Sequence, residues 1–433
     1  MKILSEEKKT DMKYKNIWIM NHYATNSFFN KGGRHYWFAK YLLKNKYTPT
    51  IFCANTRHSS ENIVEIKNGK HEIKTTDGIS YVFVKTIPYI GNGIQRIKNM
   101  WFFYKNLFSV TREYAKVYGK PDVILASSVH PLTLVAGIKI AKRFGVPCIC
   151  EVRDLWPEAI FYFSRIKENS LIGRILTVGE HWIYKRADAL IFTKEGDRDY
   201  IKEKEWDTEH GGDIDLKKAY YINNGVDVDA FTEILETNKL DDPDLELDKF
   251  NVVYVGAIRP VNNVGNILNA ASQLIEYKDI QFLIYGDGNQ EEMLERRIDD
   301  EGLLNVKMKG YVNKKYIPYI LSKSSVNILN YSQTQYNWAR GNSSNKLFEY
   351  MASGKPIIST VKMGYSIIDR YKCGIELENA TGEDLANAVL KIKNMPKEEY
   401  RELGQNAKKG ASDFDFRILT NKLIQVINKV MGE

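Results

Sequence analysis

Long apolar runs are missing from this chain of 433 residues. No stretch approaches the roughly 18 consecutive apolar residues that a membrane-spanning helix needs. The chain begins MKILSEEKKTDMKYK, charged before any apolar run, so no secretory signal peptide is expected. Cysteine is scarce. Cys53, Cys148, Cys150 and Cys373 are too few for a disulfide scaffold. Cys148 and Cys150 lie in the apolar run 146–150, and no second Cys or His pair stands at ligand spacing. They read as small residues of a buried strand rather than metal ligands. Short-period repeats and low-complexity tracts are also absent, which excludes solenoids. A chain this long suggests two or three domains, with a core large enough to need no staple.

Charge is plentiful but unevenly spread. Residues 1–200 carry 32 Lys and Arg against 18 Asp and Glu, whereas residues 201–433 carry 30 against 36. A basic half joined to an acidic half points the former towards an anionic partner. Residues 94–120 concentrate this pattern. Arg96, Lys98, Lys105, Arg112, Lys116 and Lys120 interleave with Trp101, Phe102, Phe103, Tyr104 and Phe108, against the lone acid Glu113. Such a helix suits an anionic membrane interface, or it packs one face in the core and solvates its lysines. No nucleic-acid motif accompanies it, so no nucleic-acid partner is expected.

Periodicity gives the organisation. Residues 16–20 (NIWIM) read as a strand, followed by a loop with Gly32 and Gly33, a helix ending near Asn45, and a strand at 50–53. This is a βαβ unit. Further strands are expected at 81–84, 122–126, 146–152 and 189–193, with a helix at 132–144. The polar run 205–218 and the acidic run 236–249 mark a boundary region. Beyond it the grammar restarts, with strands at 250–255, 280–285, 306–310, 325–329 and 356–359 and helices at 266–277, 291–301 and 346–352. The predicted fold class is α/β, with two Rossmann-like doubly wound parallel sheets facing a cleft. The expected domains are 1–215 and 216–415. An amphipathic helix over 416–433 is expected to pack on a domain surface, on the first domain in this reading.

Several turns fall where α/β folds bind ligands. Gly286 and Gly288 follow a strand and precede a helix, so backbone can approach an anion there, unless they only make a tight turn. Glu291 stands where a dinucleotide fingerprint needs its third glycine, so NAD is not supported. Gly32 and Gly33 are the equivalent feature of the first half. Arg259 follows the strand at 250–255, at the sheet edge that faces ligands, and its planar fork suits phosphate. The densest signal is 341–356, GNSSNKLFEYMASGKP. Small polar residues precede a helix there, so amides and Lys346 can cradle a diphosphate, with Glu349 one turn further on.

In this order and spacing, these segments resemble the retaining GT-B glycosyltransferases of family 4. The resemblance spans nearly the whole chain. It includes Gly32-Gly33, Ser127-Ser128-Val129-His130-Pro131, Arg153-Asp154-Leu155-Trp156-Pro157-Glu158, Asn224-Gly225-Val226-Asp227, the Gly256–Arg259 and Gly286–Gly288 turns, and Asn345-Lys346-Leu347-Phe348-Glu349-Tyr350. It implies a metal-independent hexosyl- or N-acetylhexosaminyltransferase without cofactor that uses a nucleotide-diphosphate sugar, usually UDP-linked. In bacterial surface polysaccharide synthesis the acceptor would be a membrane-associated, polyprenyl-linked glycan. Arg259 and Lys346 would neutralise the leaving diphosphate, and His130 would stand near the donor sugar. Gly32, Gly33, Gly286, Gly288, Asn342, Asn345, Leu347 and Glu349 would bind the donor, with Glu349 on the ribose. Asp154 and Trp156 would line the acceptor side. The enzyme would be cytoplasmic, on the inner face of the cell membrane.

Two departures stand out. The family's first glutamate falls on Gly341, and Asn262 stands where a lysine is common. Asn342 or backbone amides would then have to hold the sugar. Alternatives are a GT-B sugar-nucleotide epimerase and a non-catalytic nucleotide-sugar-binding subunit. Asp-x-Asp, which can hold a divalent ion in metal-dependent transferases, occurs at Asp213/Asp215, Asp227/Asp229, Asp242/Asp244 and Asp413/Asp415. All four lie in polar loops or near a helix start, and no metal site is expected at them.

Overall fold

The computed structural model describes residues 14–57, 63–91, 93–128, 130–164, 166–246, 248–332, 338–378 and 380–433. Val129 and most of the N-terminal charged segment lie outside the described residues. The chain forms two compact units. The first is Met1–Trp156, Ile175–Ile191 and Ile424–Glu433, and the second is Pro157–Arg174 and Phe192–Leu423. The chain thus changes unit at Phe192, before the polar run at 205–218, and the segment 157–174 is assigned to the second unit.

In the first unit the strands are β1 (Lys15–Met20), β2 (Tyr47–Ala54), β3 (His71–Thr76), β4 (Ile79–Val84), β5 (Val123–Ser127), β6 (Cys148–Val152) and β7 (Ala189–Phe192). They lie in the order β3-β4-β2-β1-β5-β6-β7. β1 pairs in parallel with β2 and β5, while β3 runs antiparallel to β4. The antiparallel β3 gives no strand signal in the sequence because it is polar, HEIKTT, with none of its residues fully buried. The order reverses between β2-β1 and β5-β6, so loops leaving β1 and β5 diverge and open a crevice. Residues that follow β1 and β5 therefore hold the ligand-facing edge. Tyr114 packs edge-on against Trp18 and Phe52, which are tilted against each other. Cys53, Cys148 and Cys150 are unpaired and buried among these strands, as core residues.

Helix α1 (Arg34–Lys44) follows Gly33, α2 is the long helix Ile94–Tyr118, and α3 is Pro131–Phe144. One face of α2 buries Met100, Phe103, Leu107, Val110 and Tyr114. The other leaves Ile94, Ile97, Trp101 and Phe102 exposed. The long α2 thus packs one face in the core, and its outer face carries exposed apolar side chains among basic ones. The C-terminal helix, Phe416–Met431, ends in the first unit, where Tyr47 donates a hydrogen bond to Asn428 at 3.0 Å. Among the described residues, no helix is long and apolar enough to cross a membrane.

The second unit begins its strands with the short β8 (Ala219–Tyr221). Its sheet contains β9 (Phe250–Val255), β10 (Ile280–Tyr285), β11 (Val306–Met308), β12 (Val326–Leu329), β13 (Ile357–Ser359) and β14 (Gly374–Glu376). The order is β11-β10-β9-β12-β13-β14, parallel throughout. This is the doubly wound order, with its reversal between β9 and β12. Helices α4 (Gly265–Gln273), α5 (Glu291–Asp300) and α6 (Asn345–Ala352) follow β9, β10 and β12. The core joins Val252, Tyr254, Phe282, Ile284, Ile328 and Leu385. The helix expected over 266–277 is shorter, because Leu274 caps it and a turn at Tyr277 leads into β10.

Candidate functional site

In the second unit, two glycine turns are stitched together at the sheet's C-terminal edge. Gly256 N donates to Tyr285 O at 2.9 Å, and Ile258 N donates to Asp287 O at 2.7 Å. A Cβ on Gly286 would lie 1.9 Å from Gly256 O, and one on Gly288 would lie 2.1 Å from Ile258 O. These two glycines thus let backbone approach backbone, which holds the turn carrying Arg259 in place. Arg259 itself is exposed.

Lys346 enters this edge from the first turn of α6. Its Nζ lies 5.0 Å from the Tyr254 ring centre and 4.7 Å from that of Tyr331. Asn262 Oδ1, at 3.4 Å, and the Tyr254 hydroxyl, at 3.5 Å, complete its surroundings. Among the described residues no carboxylate pairs with this cation. Burial lowers its pKa to about 8. Aromatic faces stabilise the charge in part, and an anion arriving there would find a cation already partly desolvated. Gly256 leaves room for it, since a Cβ there would come within 3.2 Å of Nζ.

The other residues of this stretch divide by role. Asn342 is buried; its Oδ1 accepts from Ser344 N at 2.7 Å, while its Nδ2 has no partner among the described residues. Asn345 is exposed at the start of α6, and Glu349 pairs with Lys314 at 3.4 Å while staying partly accessible. The Leu347 side chain goes into the core, and its amide donates to Ser344 O at 3.3 Å, so neither points outward. Gly341 has φ 101°, a left-handed conformation that a glutamate adopts only under strain. The loop therefore selects glycine where the family pattern has an acid. Arg340 anchors the same loop with ion pairs to Glu203 at 2.7 Å and Glu158 at 3.3 Å.

The Asp-x-Asp pairs do structural work. Asp242 and Asp244 both pair with Lys309 at 2.7 Å. Asp227 caps the helix Val228–Thr237, Asp415 accepts from Val228 N at 2.9 Å, and Asp215 caps a short turn. Asp413 accepts from Tyr371. No cluster of three metal-ligating side chains occurs among the described residues.

In the first unit, the residues gather around the edge of β1, β5 and β6. Gly33 has φ 89°, which its lack of Cβ permits, and it turns the chain into α1. Gly32 precedes it without such a demand. The turn delivers Arg34 and His35 onto Glu151 of β6. Arg34 meets Glu151 Oε2 at 2.7 Å and His35 meets Oε1 at 3.2 Å, all buried. Ser127 donates to Glu151 Oε1 at 2.7 Å, and Asn21 donates to Ser127 at 3.0 Å. Burial alone would raise the Glu151 carboxyl, but Arg34 and His35 outweigh it and hold it far below the carboxylate range. The sequence signal was a charge inside the apolar strand CICEV.

His130 caps α3 and is 1% exposed. Its Nε2 lies 2.6 Å from Nδ1 of His22, which follows β1 and had no sequence signal of its own. Burial, then Arg96, lowers the pKa of His130 to about 3. Burial, then His130, lowers that of His22. Both rings are therefore neutral near pH 7. Asp154 is exposed and Trp156 begins the helix Trp156–Phe163. Beside them, Arg153 N donates to Ser128 at 2.9 Å.

Two doubly wound parallel sheets of this kind make the fold that of the GT-B glycosyltransferases. Residues 236–410 match the family model "Glycosyl transferases group 1", and residues 92–210 match "Glycosyl transferase 4-like domain". TuaH, a Bacillus subtilis glycosyltransferase named for teichuronic acid biosynthesis, is 26% identical over 220 residues. That match covers 49% of this chain and only 50% of TuaH, so the chain spans half the length of that relative. Sucrose-phosphate synthase from Thermosynechococcus elongatus superposes with a TM-score of 0.69 at 15% identity, over 96% of this chain and 99% of that one. Anabaena HepE, solved in complex with UDP-glucose, gives 0.64 at 14% identity, over 96% and 100%.

Proposed function

We propose that this chain is a glycosyltransferase that moves a sugar from a nucleotide-diphosphate donor, most simply a UDP-sugar, to a membrane-associated polyprenyl-linked glycan. The observation that carries the donor half is Lys346, a partly desolvated cation held between Tyr254 and Tyr331 at a sheet edge, with no carboxylate partner among the described residues. Breaking a sugar–phosphate bond builds negative charge on the leaving diphosphate. A fixed cation and amides aimed there stabilise the transition state more than the ground state. Arg259 adds a second cation and Glu349 the ribose contact. This chemistry needs no metal. His130 serves the sugar end, and transfer retains the anomeric configuration, which NMR of the product reads directly. Support for glycosyl transfer comes from the family models, and support for the UDP-sugar from HepE, whose structure holds UDP-glucose. The pathway is surface polysaccharide synthesis, a reading favoured by the likeness to TuaH.

The test is a thermal-shift series with UDP, GDP and their sugar conjugates, with and without EDTA. A ligand at a hundredfold excess over Kd stabilises the native state by about 2.7 kcal/mol. Stabilisation by one nucleotide class, unchanged by EDTA and lost in Glu349→Ala, is the expected result. No shift with any nucleotide sinks the donor reading.

The acceptor half rests on the basic first 200 residues and on α2. Ile94, Ile97 and Trp101 are 72%, 63% and 52% exposed beside Arg96, Lys98 and Lys105. Apolar side chains ringed by cations suit an anionic interface. The protein is expected to sediment with anionic liposomes at low salt, to release as salt rises, and to bind several-fold less after Ile97→Ser with Trp101→Ser. Equal recovery with neutral liposomes, or none with anionic ones, ends this half of the reading.

A further inference from the structure

The helix Leu171–Arg186, LIGRILTVGEHWIYKR, buries one face and leaves an apolar line on the other. Gly173, Glu180, Ile183 and Tyr184 are buried. Away from them, Leu171, Ile172, Ile175 and Val178 are 77%, 56%, 61% and 67% exposed. At 3.6 residues per turn, Leu171, Ile175, Val178 and Trp182 fall within about 60° of one another, in one line along the helix. A soluble monomer rarely leaves so many large aliphatics open side by side, and such a patch marks an interaction site.

Charge decides what covers it. Exposed Arg174 and Lys185 lie to one side of the line, and exposed Arg186 lies to the other. Arg186 also sits over the Trp182 ring, 4.6 Å from its centre. The one acid of the helix, Glu180, is on the buried face, where it accepts from Tyr184 at 2.7 Å. An apolar line with a tryptophan, edged by cations on both sides and clear of acids, suits an anionic lipid surface. The aliphatics enter the acyl boundary, and the cations reach the headgroups on stems that bend aside. A second copy of the chain fits worse. Arg174 near one end and Lys185 and Arg186 at the other would meet like charges in a parallel or an antiparallel pair.

We propose that the helix Leu171–Arg186 lies flat in an anionic lipid surface, with Leu171, Ile175, Val178 and Trp182 in the acyl boundary. It extends the membrane half of the reading above to a contact separate from α2. Ile175, Val178 and Trp182 belong to the first unit, as α2 does.

The experiment places a reporter on the line. Cys53, Cys148, Cys150 and Cys373 are all buried, so Val178→Cys in the full-length protein takes a polarity-sensitive fluorophore at that one position. Asp299→Cys, exposed on α5, is the control. The vesicles are phosphatidylcholine with or without phosphatidylglycerol, at low salt. With the anionic vesicles, the probe at 178 is expected to shift to the blue and to be quenched by lipids that carry a spin label high on the acyl chain. With the neutral vesicles it should do neither, and the probe at 299 should respond to none. Ile175→Ser with Val178→Ser should bind the anionic vesicles about tenfold more weakly. Both positions are exposed, so its thermal unfolding should match that of the wild type. Vesicle binding with a silent probe at 178 overturns the proposal and leaves α2 as the contact. A responding probe, in a protein whose Ile97→Ser with Trp101→Ser variant binds as the wild type does, upholds the proposal and sinks the α2 reading. No vesicle binding sinks both. A concentration-dependent dimer that ignores vesicles and is abolished by Ile175→Ser with Val178→Ser gives the line to a second copy and overturns the proposal.

Discussion

Lys346→Met is expected to lower kcat/KM for the donor about a hundredfold or more, while leaving thermal stability equal or higher. The two effects have opposite signs for one reason. Lys346 is a cation brought partly out of water without a carboxylate partner among the described residues, held by the faces of Tyr254 and Tyr331, the Tyr254 hydroxyl and the Asn262 oxygen. Burying such a charge costs folding free energy, and a methionine stem fills the same space without that cost. In the reaction the charge faces a diphosphate that gains negative charge as the sugar leaves, and losing one such group typically costs roughly 3 kcal/mol, about a hundredfold in rate. A pH profile supplies the second readout. Burial lowers the Lys346 pKa to about 8, so kcat/KM, which reports the free enzyme, should fall as pH rises through about 8. That limb should vanish in the variant. A variant that loses stability and keeps its rate would show that Lys346 is a core residue.

Glu151→Gln is expected to destabilise the first unit by about 3–5 kcal/mol, measured by denaturant unfolding. The loss comes from Arg34, whose guanidinium is 2% exposed and would remain buried without its counter-charge. Replacing both partners with apolar residues, Arg34→Met with Glu151→Leu, should recover much of it, because the pair's desolvation is then relieved on both sides. The acid limb of stability follows from the same groups. The native Glu151 carboxyl is held far below its ordinary 4.5, so its contribution is fully present above that pH and is lost as pH falls below it. His22, His35 and His130 are held neutral below their ordinary 6.5, so the unfolded chain takes up protons that they refuse. Stability should therefore begin to decline below about pH 6.5 and steepen below about 4.5. Glu151→Gln should flatten the lower part only. A wild-type protein equally stable from pH 7 to pH 4 would contradict this account.

Much of the donor edge was legible because its signals are local. Gly286 and Gly288 between a strand and a helix, and Lys346 and Glu349 one turn apart, are spacing facts that α-helix and βα-turn geometry convert into neighbours. Even there, the reason for the glycines was not legible. They admit the backbone of Gly256 and Ile258, which come from another turn of the sheet. The same holds for Gly341, whose positive φ suits glycine and would strain the acid of the family pattern.

The sequence by itself determined the α/β class, the parallel strands, the glycine turns, the buried cysteines and the amphipathic C-terminal helix. Each follows from period, composition or turn chemistry within a dozen residues. Only the tertiary structure decided that His22 meets His130 across a separation of 108 residues, that Arg34 and His35 close on Glu151, and that Tyr254 and Tyr331 flank Lys346. Those pairings depend on which strands neighbour one another at the point where the sheet order reverses. Strand order is set by the burial of whole faces and the closure of long loops, and neither is written in the spacing of any one segment.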